Sequence, residues 1–254
     1  MKTVLITGAT SGIGKEFAKK YAAKGYRLII TGRRTEVLDY MKEKFGTNCR
    51  VITADLSDEA QCRKLLNDVE DEEIDIFINN AGFGTAGSFI ETDLEKEISM
   101  VKVNDIAMHI MFKGILKKMH ERGEGTILNV ASSAGILPGG PYMATYYASK
   151  AYVVSLTRAV ARELKELRSK VYVCALCPGP VETEFNENAD VVFSLNGIST
   201  ECCVSECLAG MKRKKTIIVP TLRMRVVMAL SHLAPIPLAI AMTGSQQKKK
   251  IAEK

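Results

Sequence analysis

The chain has 254 residues, 46% of them hydrophobic and 25% charged, which is ample for one sizeable core and too apolar for a disordered tail. Seven cysteines, an odd number without a framework spacing, argue against a disulfide-stapled secreted fold and for reduced thiols in a cytoplasmic setting. Residues 205–254 carry ten Lys/Arg against two Glu, a local +8, while the rest of the chain sums to −2. With no aromatic residues interleaved in that basic segment, a nucleic-acid surface is not supported.

The first residues, MKTVLIT, already read as a strand, which leaves no room for a signal peptide's apolar core. Short apolar runs at 2–7, 27–31, 49–54, 74–79, 126–131, 171–177 and 216–219 predict seven strands, several apolar throughout, as strands covered on both faces are. Amphipathic stretches at 13–23, 35–44, 58–69, 92–122 and 142–167 lie between them, and this alternation predicts an α/β fold with a parallel sheet and crossover helices. No repeat or linker interrupts it, so a single domain over 1–254 is expected.

Directly after the first strand stands Thr7-Gly8-Ala9-Thr10-Ser11-Gly12-Ile13-Gly14. Glycines at 8, 12 and 14 permit a tight turn, a close backbone approach to a diphosphate and close packing of the helix start, whose free N–H groups attract an anion. The second strand ends at Gly32-Arg33-Arg34, where a guanidinium suits the 2′-phosphate of NADP better than a free ribose hydroxyl. Ser133, Tyr146 and Lys150 follow in the spacing S-x12-Y-x3-K. On a helix Tyr146 and Lys150 share a face, so an ammonium can stabilise a phenolate whose free pKa of about 10 is too high for proton exchange near neutrality.

Other conspicuous residues have plainer readings. Cys174 and Cys177 lie three apart on a strand, point to opposite faces, and read as buried structural thiols. Cys202, Cys203 and Cys207 fall on a helix, with the last two on one face for packing. The three histidines match no chelate spacing, and Met100, Met108, Met111 and Met119 fill packing faces. Residues 185–197 have no clear periodicity and suggest a mobile loop. Residues 221–242 are apolar but broken by Pro235 and Pro237, which weakens a spanning helix. They read first as a segment packed on the body or a sister subunit, and second as a monotopic membrane-surface element flanked by basic clusters.

Taken in order, TGATSGIG at 7–14, Asp55-Leu56, NNAG at 79–82, Asn104, the Ser133/Tyr146/Lys150 set and PGPVET at 178–183 resemble the short-chain dehydrogenase/reductase family. The resemblance implies a Rossmann-type doubly wound, seven-stranded parallel sheet flanked by helices on both faces. It implies Tyr146 as general acid or base, Lys150 on the nicotinamide ribose and lowering the tyrosine's pKa, Ser133 polarising the carbonyl, and Asn104 holding a relay water. Asp55 and Leu56 would meet the adenine, and Asn80, Ala81 and Gly82 the adenosine-side ribose and backbone. Pro178, Gly179, Val181 and Thr183 would meet the nicotinamide, with Gly8, Thr10, Ser11, Gly12, Ile13 and Gly14 on the diphosphate and Arg33 and Arg34 on the 2′-phosphate. The expected activity is an NADP(H)-dependent oxidoreductase acting on a carbonyl or secondary alcohol, with 185–215 as substrate loop and helix and 221–254 as an apolar, basic extension. The methionine-rich end suggests a lipophilic substrate. A homodimer or homotetramer is implied, no metal is expected, and a non-catalytic NADP-binding sensor is the alternative.

Overall fold

A computed structural model describes residues 1–183 and 197–252. Seven strands, β1 (Thr3–Thr7), β2 (Arg27–Gly32), β3 (Cys49–Thr53), β4 (Ile76–Asn79), β5 (Thr126–Val130), β6 (Tyr172–Leu176) and β7 (Ile217–Ile218), form one sheet in the order β3-β2-β1-β4-β5-β6-β7. Every pairing is parallel. The order reverses between β1 and β4, and at such a switch point an open parallel sheet leaves a crevice beyond its carboxyl ends.

The period-2 alternation of the strands sorts their side chains into two cores. Val4, Ile6, Leu28, Ile30, Ile78 and Cys174 pack under α1 (Gly12–Ala22), α2 (Thr35–Phe45) and α7 (Thr200–Lys212). Leu5, Ile29, Phe77, Ile127, Val173 and Cys177 pack on the other face under α3 (Glu59–Asp68), α5 (Met108–Arg122) and α6 (Ala144–Glu166). Cys174 and Cys177 therefore do lie in different cores, and Cys203 and Cys207 are buried together in the first. Met100, Met108, Met111 and Met119 are all buried.

A buried polar chain sets α6 on the sheet. Asn79 Nδ2 donates to Asn129 Oδ1 at 3.2 Å, Asn129 Nδ2 donates to the Thr157 hydroxyl at 3.0 Å, and that hydroxyl donates to the Val153 carbonyl at 2.7 Å. Because each donor in the chain has a partner, the network fixes the rotation of α6 rather than costing desolvation energy. The long helix expected over 92–122 is two helices, α4 (Leu94–Val101) and α5, joined by a π-helical turn at Lys102–Ala107. Such turns recur at functional sites, and this one holds Asn104.

The expected loop at 185–197 lies outside the described residues except for Gly197. Beyond it, Thr200–Lys212 packs as α7 against α1. The apolar C-terminal segment forms α8 (Leu222–Leu233) and α9 (Ile236–Ala252), separated at Ala234-Pro235. Among the described residues no helix is long and apolar enough to cross a membrane.

Candidate active site

The crevice over the switch point opens into a cavity of about 1050 Å³, large enough for a dinucleotide and a second molecule. Its floor is the glycine turn. Gly8 has φ +64° and Gly12 φ +50°, where a side chain is strained, and a Cβ on Gly14 would stand 2.3 Å from the Gly8 carbonyl oxygen. The turn is strapped to β4: the Thr7 hydroxyl accepts from the N–H groups of Asn80 (2.9 Å) and Ala81 (3.1 Å), and Asn80 Nδ2 donates to the Thr7 and Gly8 carbonyls, each at 3.0 Å. The Asn80 amide thus braces the loop rather than reaching for a ribose. Whereas α3 and α7 are closed by the side chains of Asp58 and Ser199, α1 begins at Ser11 with no side-chain cap. Its first N–H groups face the cavity as an anion site.

The two arginines after β2 have different situations. Arg34 reaches back to Thr10, donating to its carbonyl at 3.0 Å, so it stiffens the glycine turn. Arg33 is exposed on the cavity rim, with no hydrogen bond or ion pair among the described residues. Gly32 lets the turn lie this close, since a Cβ there would meet Thr10 Cγ2 at 2.8 Å. Asp55 accepts from the Ser57 N–H and hydroxyl at 2.9 Å each, and it lines the cavity beside Leu56. Ile13, Ala81, Pro178, Gly179, Val181 and Thr183 also line the cavity.

At the far end Tyr146 and Lys150 project from one face of α6, with the Lys150 ammonium 5.8 Å from the Tyr146 ring centre. Lys150 is 5% exposed and donates to the Val130 carbonyl at 3.2 Å. Burial lowers its pKa to about 8, against the pull of Asp105, which favours its charged form. Burial also pushes the Tyr146 phenol up to about 12, and the hydrogen bond from Ser132 opposes that rise. Desolvation dominates at the phenol, and the hydroxyl of Ser132 is the group that pulls its pKa down.

Ser132 rather than Ser133 is therefore the serine bonded to the phenol. Ser132 continues the extended backbone of β5 (φ −166°, ψ 160°), and its oxygen accepts from the Ala134 N–H at 3.1 Å, which turns its own proton toward Tyr146. Ser133 already belongs to a 3-10 turn, Ser133–Gly135, and is tied by its backbone N–H to the Pro178 carbonyl at 2.8 Å. A count of thirteen back from the tyrosine lands one residue late, because fourteen positions separate Ser132 from Tyr146. Asn104 is 1% exposed; its Nδ2 donates to the Phe83 carbonyl (2.9 Å) and the Ser149 hydroxyl (3.0 Å), and its Oδ1 accepts from the Phe83 N–H (3.0 Å). Both amide protons are used, so only the second Oδ1 lone pair and the backbone of the π-turn are left for a relay water. A Cβ on Gly82 would lie 2.9 Å from Asn104 Oδ1 and 3.1 Å from Lys150 Nζ, so those two groups flank the same glycine.

The remaining wall is largely apolar, with Arg223 and Gln246 among its lining, and was not legible from motifs. Leu137, Met143, Met224, Val227 and Met228 line it, with Tyr147 receiving a 2.7 Å hydrogen bond from Gln247 of α9. The described residues contain no group of three His, Cys, Asp or Glu suited to a metal ion.

Comparison with known proteins fits this arrangement. Residues 2–191 match the short chain dehydrogenase family. An uncharacterised oxidoreductase, YvrD, from Bacillus subtilis is 36% identical over 187 residues, covering 72% of this chain and 70% of its own. The very-long-chain 3-oxoacyl-CoA reductase of Anas platyrhynchos is 33% identical over 192 residues, covering 72% of this chain and 61% of that protein. A short-chain dehydrogenase from Sphingobium yanoikuyae, solved in complex with NADPH, superposes with a TM-score of 0.82 at 28% identity over 91% of this chain and 94% of that one. A glycine floor strapped to β4, a tyrosine and lysine one helical turn apart, and a match over three quarters of the sequence lead to one assignment: the chain belongs to the short-chain dehydrogenase/reductase family of oxidoreductases.

Proposed function

We propose that the protein is an NADP(H)-dependent oxidoreductase interconverting a carbonyl and a secondary alcohol on a lipophilic molecule, such as a steroid, a long-chain ketone or an acyl derivative. The observation that carries this reading is that Tyr146, Ser132 and Lys150 meet where the glycine-floored half of the cavity joins its methionine-lined half. The residues present fit a dinucleotide: a side chain at Gly8 or Gly14 would fill the cradle, and the uncapped start of α1 offers N–H donors to a diphosphate. When bound, that cofactor supplies the hydride chemistry.

The chain's own residues orient and manage protons. Gly12, Ile13 and Thr10 bound the diphosphate, Arg33 pairs with a 2′-phosphate, and Lys150 reaches the ribose nearest the reacting carbon. Val181 and Thr183 hold the ring's polar edge. In reduction the Tyr146 phenol gives its proton to the carbonyl oxygen, and the Ser132 hydroxyl, bonded to the phenol, stabilises the negative charge left on the tyrosine oxygen. Lys150, flanking Gly82 with Asn104, stabilises the phenolate left behind and relays a replacement proton through the π-turn. A homodimer or homotetramer pairing through α4, α5 and α6 belongs to this reading, supported by the partly exposed Ile98 on α4, Ile106 on the π-turn that joins α4 to α5, and Tyr152 on α6. A cytoplasmic setting goes with the buried thiols, which burial keeps protonated.

The test is NADPH oxidation by the purified protein across a panel of carbonyl compounds graded in hydrophobicity, beside Tyr146→Phe. Turnover rising with substrate hydrophobicity and abolished in the variant is expected. Equal turnover by both proteins overturns the role of Tyr146, and tight NADPH binding with no turnover on any substrate favours a sensor.

A further inference from the structure

Helices α8 and α9 each turn large apolar side chains outward. On α8 the side turned outward is Leu222, Val226, Leu230 and Leu233 with Arg223, and Leu222 and Leu233 are 72% and 82% exposed. Its inner side holds Met228 but also Arg225, which donates to the Val219 carbonyl at 2.9 Å and pairs with Glu206 at 2.7 Å, and Ser231. On α9 the buried positions include Thr243 and Gln247, both hydrogen-bonded, whereas Ile236, Leu238 and Met242 are 54% to 63% exposed. A water-facing helix shows the opposite pattern, and contiguous exposed apolar surface of this kind marks a contact site.

Charge decides between the possible occupants. The apolar face lies in the only strongly basic part of the sequence, +8 against −2 elsewhere. Arg223 stands within the exposed arc and Lys248 is exposed further along α9, where the sequence runs Lys248-Lys249-Lys250. A second copy of the same face would bring like charges together, whereas an anionic bilayer attracts them and accepts the leucines into its headgroup boundary. Neither helix is able to span a bilayer, and the break at Ala234-Pro235 folds the pair back on the body. Val227 and Arg223 also line the cavity, so this face adjoins the cavity mouth.

We propose that the outer face of α8 and α9 docks on an anionic lipid surface, with the mouth of the cavity held against the membrane. The segment is thus a surface-lying element rather than one packed on a sister subunit. Docking is independent of the proposed chemistry, because it is read without turnover.

The experiment is sedimentation of the full-length protein with vesicles of phosphatidylcholine alone or mixed with phosphatidylserine, at low and high salt, beside Leu230→Glu/Leu233→Glu. Both positions are exposed, so the variant's melting temperature and its NADPH affinity should match the wild type. The wild type is expected to sediment with the mixed vesicles, less so at high salt, and the variant to bind them at least about 10-fold more weakly. Wild-type protein that stays in the supernatant with both vesicles overturns the proposal. So does a variant that binds as well as the wild type, and so does a wild-type oligomer that the variant dissolves while neither sediments.

Discussion

Replacing Ser132 by Ala removes one oxygen with two jobs. It accepts the Ala134 N–H at 3.1 Å at the head of the 3-10 turn, and it donates to the Tyr146 phenol. Loss of the first is a lost cap, worth about 1 kcal/mol of stability. Loss of the second removes a hydrogen bond to an oxygen that becomes charged during the reaction, about 1.5–3 kcal/mol, or roughly 10- to 150-fold in turnover. The Ser133 side chain carries neither bond, and its backbone N–H contact to Pro178 survives truncation. Ser133→Ala should therefore stay within about twofold of wild type. The assay is steady-state alcohol oxidation followed by the absorbance of the reduced nicotinamide across pH. Oxidation needs the phenolate, so its rate rises with pH through the phenol's titration. Because Ser132 lowers that pKa against the burial that pushes it to about 12, the rising limb should move to higher pH in Ser132→Ala and stay in place in Ser133→Ala. A merely structural serine would lower the melting temperature without moving the limb. Collapse of turnover in Ser133→Ala, with rate and limb preserved in Ser132→Ala, would refute the reasoning.

Arg33→Ala should weaken NADP(H) roughly 10- to 150-fold while leaving NAD(H) within about twofold; Arg34→Ala, which frees the Thr10 carbonyl, should weaken both alike. Fluorescence titration with each reduced cofactor checks this, and equal losses for both cofactors in Arg33→Ala would remove Arg33 from the 2′-phosphate. Lys150→Met should abolish turnover yet raise stability by about 1–2 kcal/mol in neutral buffer, since it deletes a buried charge whose desolvation the fold otherwise bears. The sign follows from linkage: with a folded pKa near 8 and an unfolded one near 10.5, the unfolded chain holds more protons between those values. The destabilisation is thus full below pH 8 and fades as pH rises toward 10.5. Chemical denaturation of wild type and variant at several pH values tests it; a variant less stable than wild type at neutral pH would contradict the burial argument.

Much of this was legible because the chain obeys two simple periods. Runs such as Val4-Leu5-Ile6 can only be strands buried on both sides, and the sheet order then puts the glycine turn and the NNAG segment side by side at its carboxyl edge. The same period-2 rule separates Cys174 from Cys177. The adjacent serines were different: both lie in reach of a spacing rule, and what separates them is that one residue is still extended while the next has turned. Likewise the arginine pair looks alike in sequence, and only the packing of Thr10 on Gly32 decides which guanidinium is occupied. The outward turn of α8's apolar side was hidden for a related reason. Apolar residues at 222, 226, 230 and 233 announce a stripe, but a stripe does not say whether it meets protein, and it takes partners outside the helix, the Val219 carbonyl and Glu206, to hold Arg225 toward the body. The π-turn left no sequence signal at all beyond the identity of Asn104.

The strap between Thr7 and Asn80 has one further consequence. Since four hydrogen bonds hold the glycine turn to its neighbouring strand, the entropy of ordering that loop is lost when the polypeptide folds and not when a nucleotide arrives. Grip and discrimination are thereby divided between two places. On the proposed function the strapped turn would be a seat common to both dinucleotides, and Arg33 at the rim, which braces nothing in that turn, would set the choice between them.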